Sequence, residues 1–354
     1  MQTEGTPMRH LILLLLATSL AAQAREVSFM TYNVENIFDT QHDQGKNDWT
    51  YLPKAFKDTS SEAQAYCQAE ANPEWKRDCF EMDWNDEVLE VKARNIGRMI
   101  REVNGGRGPD ILVVQEVENI HALRTLNRLG LRGLGYTTEV LLEGPDKRGI
   151  DVGLLSRFPL TEAKAHLVNN RTRPILEASL RVGDKVLSVF VNHWPSQSNP
   201  SSDRVDAARV LYNAATGAVE EGRAVIAAGD FNTLPNENPN GIKEFLMNPR
   251  RALVFKDAVT EIKALGGAIA EGTHWYRAQW SFLDHIFVLE RSMDDGLVDP
   301  HWSSVSVVKP EFALEDRRWN NGGQSTVHRV PYRFDANGKR GFADHLPLTM
   351  KFDL

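Results

Sequence analysis

Five apolar residues in succession, Ala224-Val225-Ile226-Ala227-Ala228, run straight into Gly229-Asp230-Phe231-Asn232. A short uninterrupted apolar run reads as a buried strand, and Gly229 is expected to end it. Residues two apart on a strand face the same way. Asp230 and Asn232 should therefore point together into the space above the strand end, where a carboxylate beside an amide can hold a water and a substrate oxygen at once. The same residues also suit an Asx-type turn, and alone that is the better reading. Recurrence of the pattern along the chain shifts the balance.

Glu26 to Val34 reads as a strand closing on Thr31-Tyr32-Asn33-Val34-Glu35-Asn36. Leu89, Ala93, Ile96, Ile100 and Val103 recur at helical spacing, so Asp86 to Val103 is an amphipathic helix stopped at Asn104-Gly105-Gly106. The next buried strand, Ile111 to Val114, delivers Gln115-Glu116. Further strands are expected at Ile150 to Leu155 and Val186 to Val191, the latter ending in Asn192-His193-Trp194-Pro195. A helix follows from Pro200-Ser201-Ser202-Asp203, with Val205, Ala208, Leu211, Ala215 and Val219 on its inner face. Ser281 to Val288 carries Asp284 and His285, and Gly341-Phe342-Ala343-Asp344-His345 introduces the last strand, Leu346 to Phe352. Gly296 to Lys339 is expected to be a long loop region. No internal repeat or low-complexity linker interrupts the chain, which favours one domain over 25–354.

The length of 354 residues, with 42% hydrophobic and 25% charged content, supports a large core. A net charge of −7 gives no basic footprint of tight non-specific DNA binding. It leaves a nuclease open, because a divalent metal supplies positive charge locally. Arg9 and His10 precede the run Leu11 to Leu16, and Ala22-Gln23-Ala24 offers a cleavage site. Residues 1–24 therefore read as a secretory signal peptide, too short for a confident membrane span, and the mature protein is expected in the periplasm or outside the cell. Cys67 and Cys79 are the two cysteines. In an oxidising compartment they are expected to form one local bridge, since two thiolates alone do not complete a metal site. They sit in a polar stretch, about 38–84, that also carries Trp49, Trp75 and Trp84 and lacks a strong period. It reads as a stapled insertion, either a flap over a cleft or a peripheral ornament.

Asn33, Glu116, His193, Asp230, Asn232, Asp284, Asp344 and His345 thus each end an apolar strand. Any one of them has an ordinary alternative as a cap, a turn or a satisfied buried group. Together, such groups are costly to bury and are expected to converge on a cleft. Oxygen ligands without paired cysteines favour Mg²⁺, with Mn²⁺ or Ca²⁺ as substitutes, over zinc. Two histidines and several aspartates supply acid–base partners, a set that suits metal-assisted hydrolysis of a phosphate ester.

At these positions the chain resembles the endonuclease/exonuclease/phosphatase superfamily with a deoxyribonuclease I-like fold. The resemblance rests on Thr31-Tyr32-Asn33-Val34, Gln115-Glu116-Val117, Asn192-His193-Trp194, Gly229-Asp230-Phe231-Asn232, Leu283-Asp284-His285 and Ala343-Asp344-His345, in that order. The wording around His193 and His345 resembles the secreted bacterial branch. The resemblance implies an α/β four-layer sandwich, two packed mixed β-sheets flanked by helices, with the site at one edge. It implies Glu116 as the principal metal ligand with Asn33 and Asp344 nearby. His345, oriented by Asp284, would be general base or electrostatic clamp on the scissile phosphate. Asp230 would handle the attacking water or leaving oxygen, Asn232 a phosphoryl oxygen, and His193 would be a second phosphate-side histidine.

Other residues stay open. Arg148 could reach a phosphate or be solvated, and Asp151 could contact substrate or pair with Arg148. His285 is expected to be structural. Trp194, Trp275 and Trp280 are core or stacking residues, and Arg329 and Arg333 are candidates for substrate contact. The function expected is an exported, divalent-metal-dependent phosphodiesterase, a monomeric nuclease acting on DNA or RNA without stable membrane insertion. A phosphatase or lipid phosphodiesterase on the same fold is the nearest rival, and a binding protein without turnover is another.

Overall fold

A computed structural model describes residues 25–354; the expected signal peptide lies outside them. The strands in chain order begin with β1 (Glu26–Ile37), β2 (Ile111–Val117), β3 (Thr138–Leu141), β4 (Asp151–Ser156) and β5 (Leu160–His166). They continue with β6 (Ile175–Val182), β7 (Lys185–His193), β8 (Ala224–Asp230), β9 (Phe255–Asp257), β10 (His274–Tyr276) and β11 (Gln279–Ser281). The last are β12 (Asp284–Leu289), β13 (Asp299–Val307), β14 (Leu314–Asn321), β15 (Gln324–Pro331) and β16 (Leu348–Asp353). Two six-stranded sheets result, ordered β13-β16-β1-β2-β4-β3 and β5-β6-β7-β8-β12-β9. Both are mixed: β1–β2 and β7–β8 are parallel, the other pairs antiparallel.

Strand alternation builds the layers. Ile226 and Ala228 of β8 point between the sheets, where they join Val113 of β2 and Leu154 of β4. Val225 and Ala227 point the other way, into a layer formed with Ala208, Leu211 and Ala215. These three belong to the helix Ser201–Glu220. On the opposite side, Met30, Leu112 and Val114 pack on Leu89, Ala93 and Ile96 of the helix Asp86–Ile100. That helix starts where the Asn85 side chain accepts the Val88 N–H, with Asp86 and Glu87 in its first turn. The four-layer sandwich is therefore the fold.

Several expectations need correcting. Gly229 does not end its strand; it lies inside β8 with φ +141° because the Asn192 backbone of β7 passes too close for a side chain, a Cβ meeting Asn192 O at 1.9 Å. Phe282 and Leu283 separate β11 from β12, so Ser281 to Val288 is not one strand. Gly296 to Lys339 is not a loop but holds β13 and the hairpin β14–β15, whose polar, exposed residues hide the alternation. On the helix Ser201–Glu220, Arg204, Ala207 and Ala218 are buried beside Ala208, Leu211 and Ala215, and Val219 packs half-buried against them as expected, whereas Val205 is only half-buried and lies outside that cluster. The insertion holds three helices, Lys54–Thr59, Ser61–Ala69 and Pro73–Glu81. They span only 6, 9 and 9 residues, too few turns to print a period. Cys67 and Cys79 are bridged between the second and third, and the buried Lys57 ammonium donates to the Cys79 and Met82 carbonyls at 2.7 and 2.6 Å. Among the described residues no helix is long and apolar enough to cross a membrane.

Candidate active site

Sheet register brings three of the expected residues into a row. Asp230, at the end of β8, is the register partner of His193 on parallel β7 and of Asp284 on antiparallel β12. All three are buried. The facing sheet supplies Asn33 and Glu116 through a bulge. Asn33 pairs with Gln115 and Ile37 with Val117, and Glu116 stands unpaired between with φ +65°. A bulge bends the strand and re-aims its side chain, and here it turns Glu116 into the cleft. Asn33 joins the two sheets, its Nδ2 lying 3.2 Å from Asp230 Oδ2 and 3.4 Å from Glu116 Oε1.

His193 Nε2 sits 3.6 Å from Asp230 Oδ2 and 3.8 Å from Glu116 Oε1. Burial, then the Arg173 and Arg148 charges, hold His193 well below the ordinary histidine range, so it is neutral. His345 Nδ1 is 2.7 Å from Asp284 Oδ2, and its Nε2 is 3.9 Å from Asp230 Oδ2. Burial opposes charge on His345, but Asp284, Asp230 and Asp344 outweigh it and raise the ring well above the usual range. Burial raises Asp230 as well, up to about 7, with His345 opposing and Asp284 adding to it.

Asn232 forms the turn that its sequence also suits, and it lines the cleft. Its N–H donates to Asp230 Oδ1 at 2.9 Å in an Asx turn, at φ +48°. It is not a strand neighbour of Asp230, and its Nδ2 is tied to the Trp194 carbonyl at 3.1 Å. Asp344 is half-buried beside Arg333, 3.8 Å away. With His274 and His345 it forms a group whose ligand atoms all lie within 4.8 Å of one another. Arg333 also pairs with buried Glu35, at 2.6 Å. Trp194 is core, packed against Phe231. His285 bonds Asp257 at 3.0 Å and packs on Phe287, as a structural residue would. Arg329 is spent on Glu311 and Asp316.

Asp151 and Arg148 do not pair. Asp151 is fully buried and accepts the Gly144 N–H at 3.1 Å, whereas Arg148 is exposed and lines the cleft. Sequence reasoning passed over Arg173. This buried guanidinium bonds Asp146 and the carbonyls of His193 and Trp194 at 2.9, 2.9 and 3.1 Å, fixing the backbone that presents His193. Its signal was faint, an arginine just before Pro174 and the β6 strand. His274 and Glu35 were also passed over; Glu35 lay inside a segment noted only for Asn33.

The site fits a hard divalent cation at Glu116. The Glu116 carboxylate faces the cleft with no lysine or arginine within 4 Å among the described residues. Asn33 would ligate only with its amide turned over, since its oxygen now accepts the Glu35 N–H at 3.0 Å. Glu116, His193, Asp230, Asn232, Asp344 and His345 line a cleft of about 1670 Å³, with Asn33 and Asp284 buried behind them.

A family model for the endonuclease/exonuclease/phosphatase family matches residues 67–353. Among solved structures, a protein of that family from Bacteroides thetaiotaomicron superposes with a TM-score of 0.53 at 13% identity, covering 94% of this chain and 98% of that one. A second from Bacteroides vulgatus gives 0.53 at 13%, with 93% and 99% covered. ANGEL2, a 2',3'-cyclic phosphatase, gives 0.53 at 14%, with 94% and 96% covered. At such identities the likeness is one of fold. No curated protein matches the chain in sequence. The match to the family model extends over most of the chain, and the protein belongs to the endonuclease/exonuclease/phosphatase family, whose members are phosphoric ester hydrolases typically dependent on a divalent metal.

Proposed function

We infer that this protein is an exported, Mg²⁺-dependent phosphodiesterase that cleaves nucleic acid. The observation that carries the reading is the junction at Asn33. One amide touches both Glu116 from the first sheet and Asp230 from the second, with His193 and His345 flanking it. A cation at Glu116 would neutralise charge on a phosphoryl oxygen. Asp230, pushed up to about 7 by burial, is placed to take a proton from the attacking water. His345, kept protonated by Asp284, is placed to donate to a phosphoryl or leaving oxygen. His193, kept neutral, adds no charge that would repel the cation.

What favours a polymeric substrate is size and charge. The cleft exceeds the roughly 300–1,000 Å³ of a small-ligand pocket. Arg148, Lys243, Lys263 and Arg277 line it without a carboxylate partner among the described residues, although the chain carries −7 overall. Export is supported by the Cys67–Cys79 bridge, which persists in oxidising compartments. The test is a Mg²⁺-supplemented screen of the purified protein against plasmid DNA, RNA, nucleotides, sphingomyelin and inositol phosphates, with and without EDTA. Cleavage of DNA or RNA that EDTA abolishes is expected. Turnover confined to sphingomyelin or inositol phosphates overturns the nuclease reading.

A further inference from the structure

Three large aromatic side chains are exposed among the described residues, Phe56, Trp75 and Tyr276, and the last two line the active-site cleft. Trp75 is 64% exposed on the helix Pro73–Glu81, which the Cys67–Cys79 bridge ties to its neighbour. Tyr276 is 61% exposed at the end of β10. The two residues joining β10 to β11, Arg277 and Ala278, have φ of +47° and +65°. That turn normally takes asparagine or glycine. Holding two ordinary residues in it costs free energy, and such strain clusters at ligand clamps. It sets the Arg277 guanidinium 5.1 Å from the centre of the Tyr276 ring. Trp75 and Tyr276, the latter with Arg277 against its ring, are thus both largely exposed in a concave, cation-lined groove that also holds the phosphate chemistry.

We propose that this groove takes an unpaired strand of nucleic acid, with bases stacking on Trp75 and Tyr276 while the strand phosphates follow Arg148, Arg277, Lys243 and Lys263 to the catalytic row. The proposal rests on the nuclease reading and names its substrate form. In a duplex the base faces are covered by their neighbours, and a protein meets only backbone and base edges. An exposed indole finds nothing there to stack on. In a single strand every base offers a face, and stacking on aromatic side chains is the general mode of recognition. A lipid surface fits less well, since these aromatics line a concavity among cations rather than projecting from an apolar face.

The test measures binding in Mg²⁺ by fluorescence anisotropy, using a cleavage-resistant phosphorothioate oligonucleotide as single strand, as duplex and as an abasic strand of equal length. Wild type should prefer the single strand over both others, and Trp75→Ala should weaken single-strand binding on the order of tenfold. Trp75→Phe should recover part of that loss. An unchanged melting temperature separates lost stacking from lost fold. Equal binding of all three ligands, or Trp75→Ala indistinguishable from wild type, overturns the inference, and if the protein still cleaves DNA or RNA the nuclease reading stands. No oligonucleotide binding together with binding to sphingomyelin vesicles overturns both.

Discussion

His345 Nδ1 lies 2.7 Å from Asp284 Oδ2 across 61 residues of sequence, and Asp284 is the register partner of Asp230, the carboxylate nearest His345 Nε2. The ring is thus anchored at one nitrogen and presented at the other. If it acts with Asp284 as a unit, His345→Ala and Asp284→Ala should each lower kcat on the order of 10²-fold or more. The double variant should lose little beyond the worse single. Multiplicative losses would show two independent contributions.

Glu116 owes its direction to a bulge rather than to strand alternation. Glu116→Gln keeps the shape and removes the charge that holds a cation. Metal-dependent hydrolysis should vanish while circular dichroism and melting temperature stay near wild type. Full activity at matched Mg²⁺ would refute the metal assignment.

Arg173 bonds Asp146 and two carbonyls next to His193 while almost wholly buried. Arg173→Met leaves the Asp146 charge without its partner, a change that costs about 3–5 kcal/mol for a buried pair. Chemical denaturation should report a loss of that order. Arg173→Lys should recover only part of it, because an ammonium cannot reproduce the fork.

Burial pushes Asp151 up to about 7, against the Gly144 N–H and Lys46, which pull it down. The folded state therefore keeps a proton that the unfolded chain releases near its ordinary value of about 3.9. With more protons bound in the folded state, stability falls as pH rises between those values. Asp151→Asn removes the titration, so it should gain stability relative to wild type from pH 4 to pH 7. Urea midpoints across that range measure the gap; a constant gap would mean that Asp151 titrates alike folded and unfolded.

The bridge Cys67–Cys79 closes a separation of 12 residues. On the chain-entropy model its loss costs at most about 3 kcal/mol. Because the insertion carries Trp75 into the cleft, Cys67→Ser with Cys79→Ser should raise KM for long substrates more than for a small aryl phosphodiester. A lower melting temperature with unchanged kinetics on both would make the insertion purely structural.

Local sequence settled whatever burial repeats along the chain. The run Ala224–Ala228 and the helical spacing from Leu89 to Ile100 could be read directly, because uninterrupted burial marks the one and a helical period the other. So could the order of the six matching segments. Of the polar residues expected at strand ends, His193 and Asp230 do close strands, whereas Asp284 opens β12 and Asp344 and His345 precede β16. Register was not legible, since it depends on which strands meet. Only the pairing of β7, β8 and β12 puts His193, Asp230 and Asp284 in one row. The bulge that frees Glu116, the approach of Asn192 that demands glycine at 229, and the Arg173 clamp are likewise contacts between segments far apart in the chain. The short helices of the insertion and the polar hairpin β14–β15 escaped notice for the opposite reason. They bury too little apolar surface to leave a period, and only packing against the rest of the protein gives them their shape.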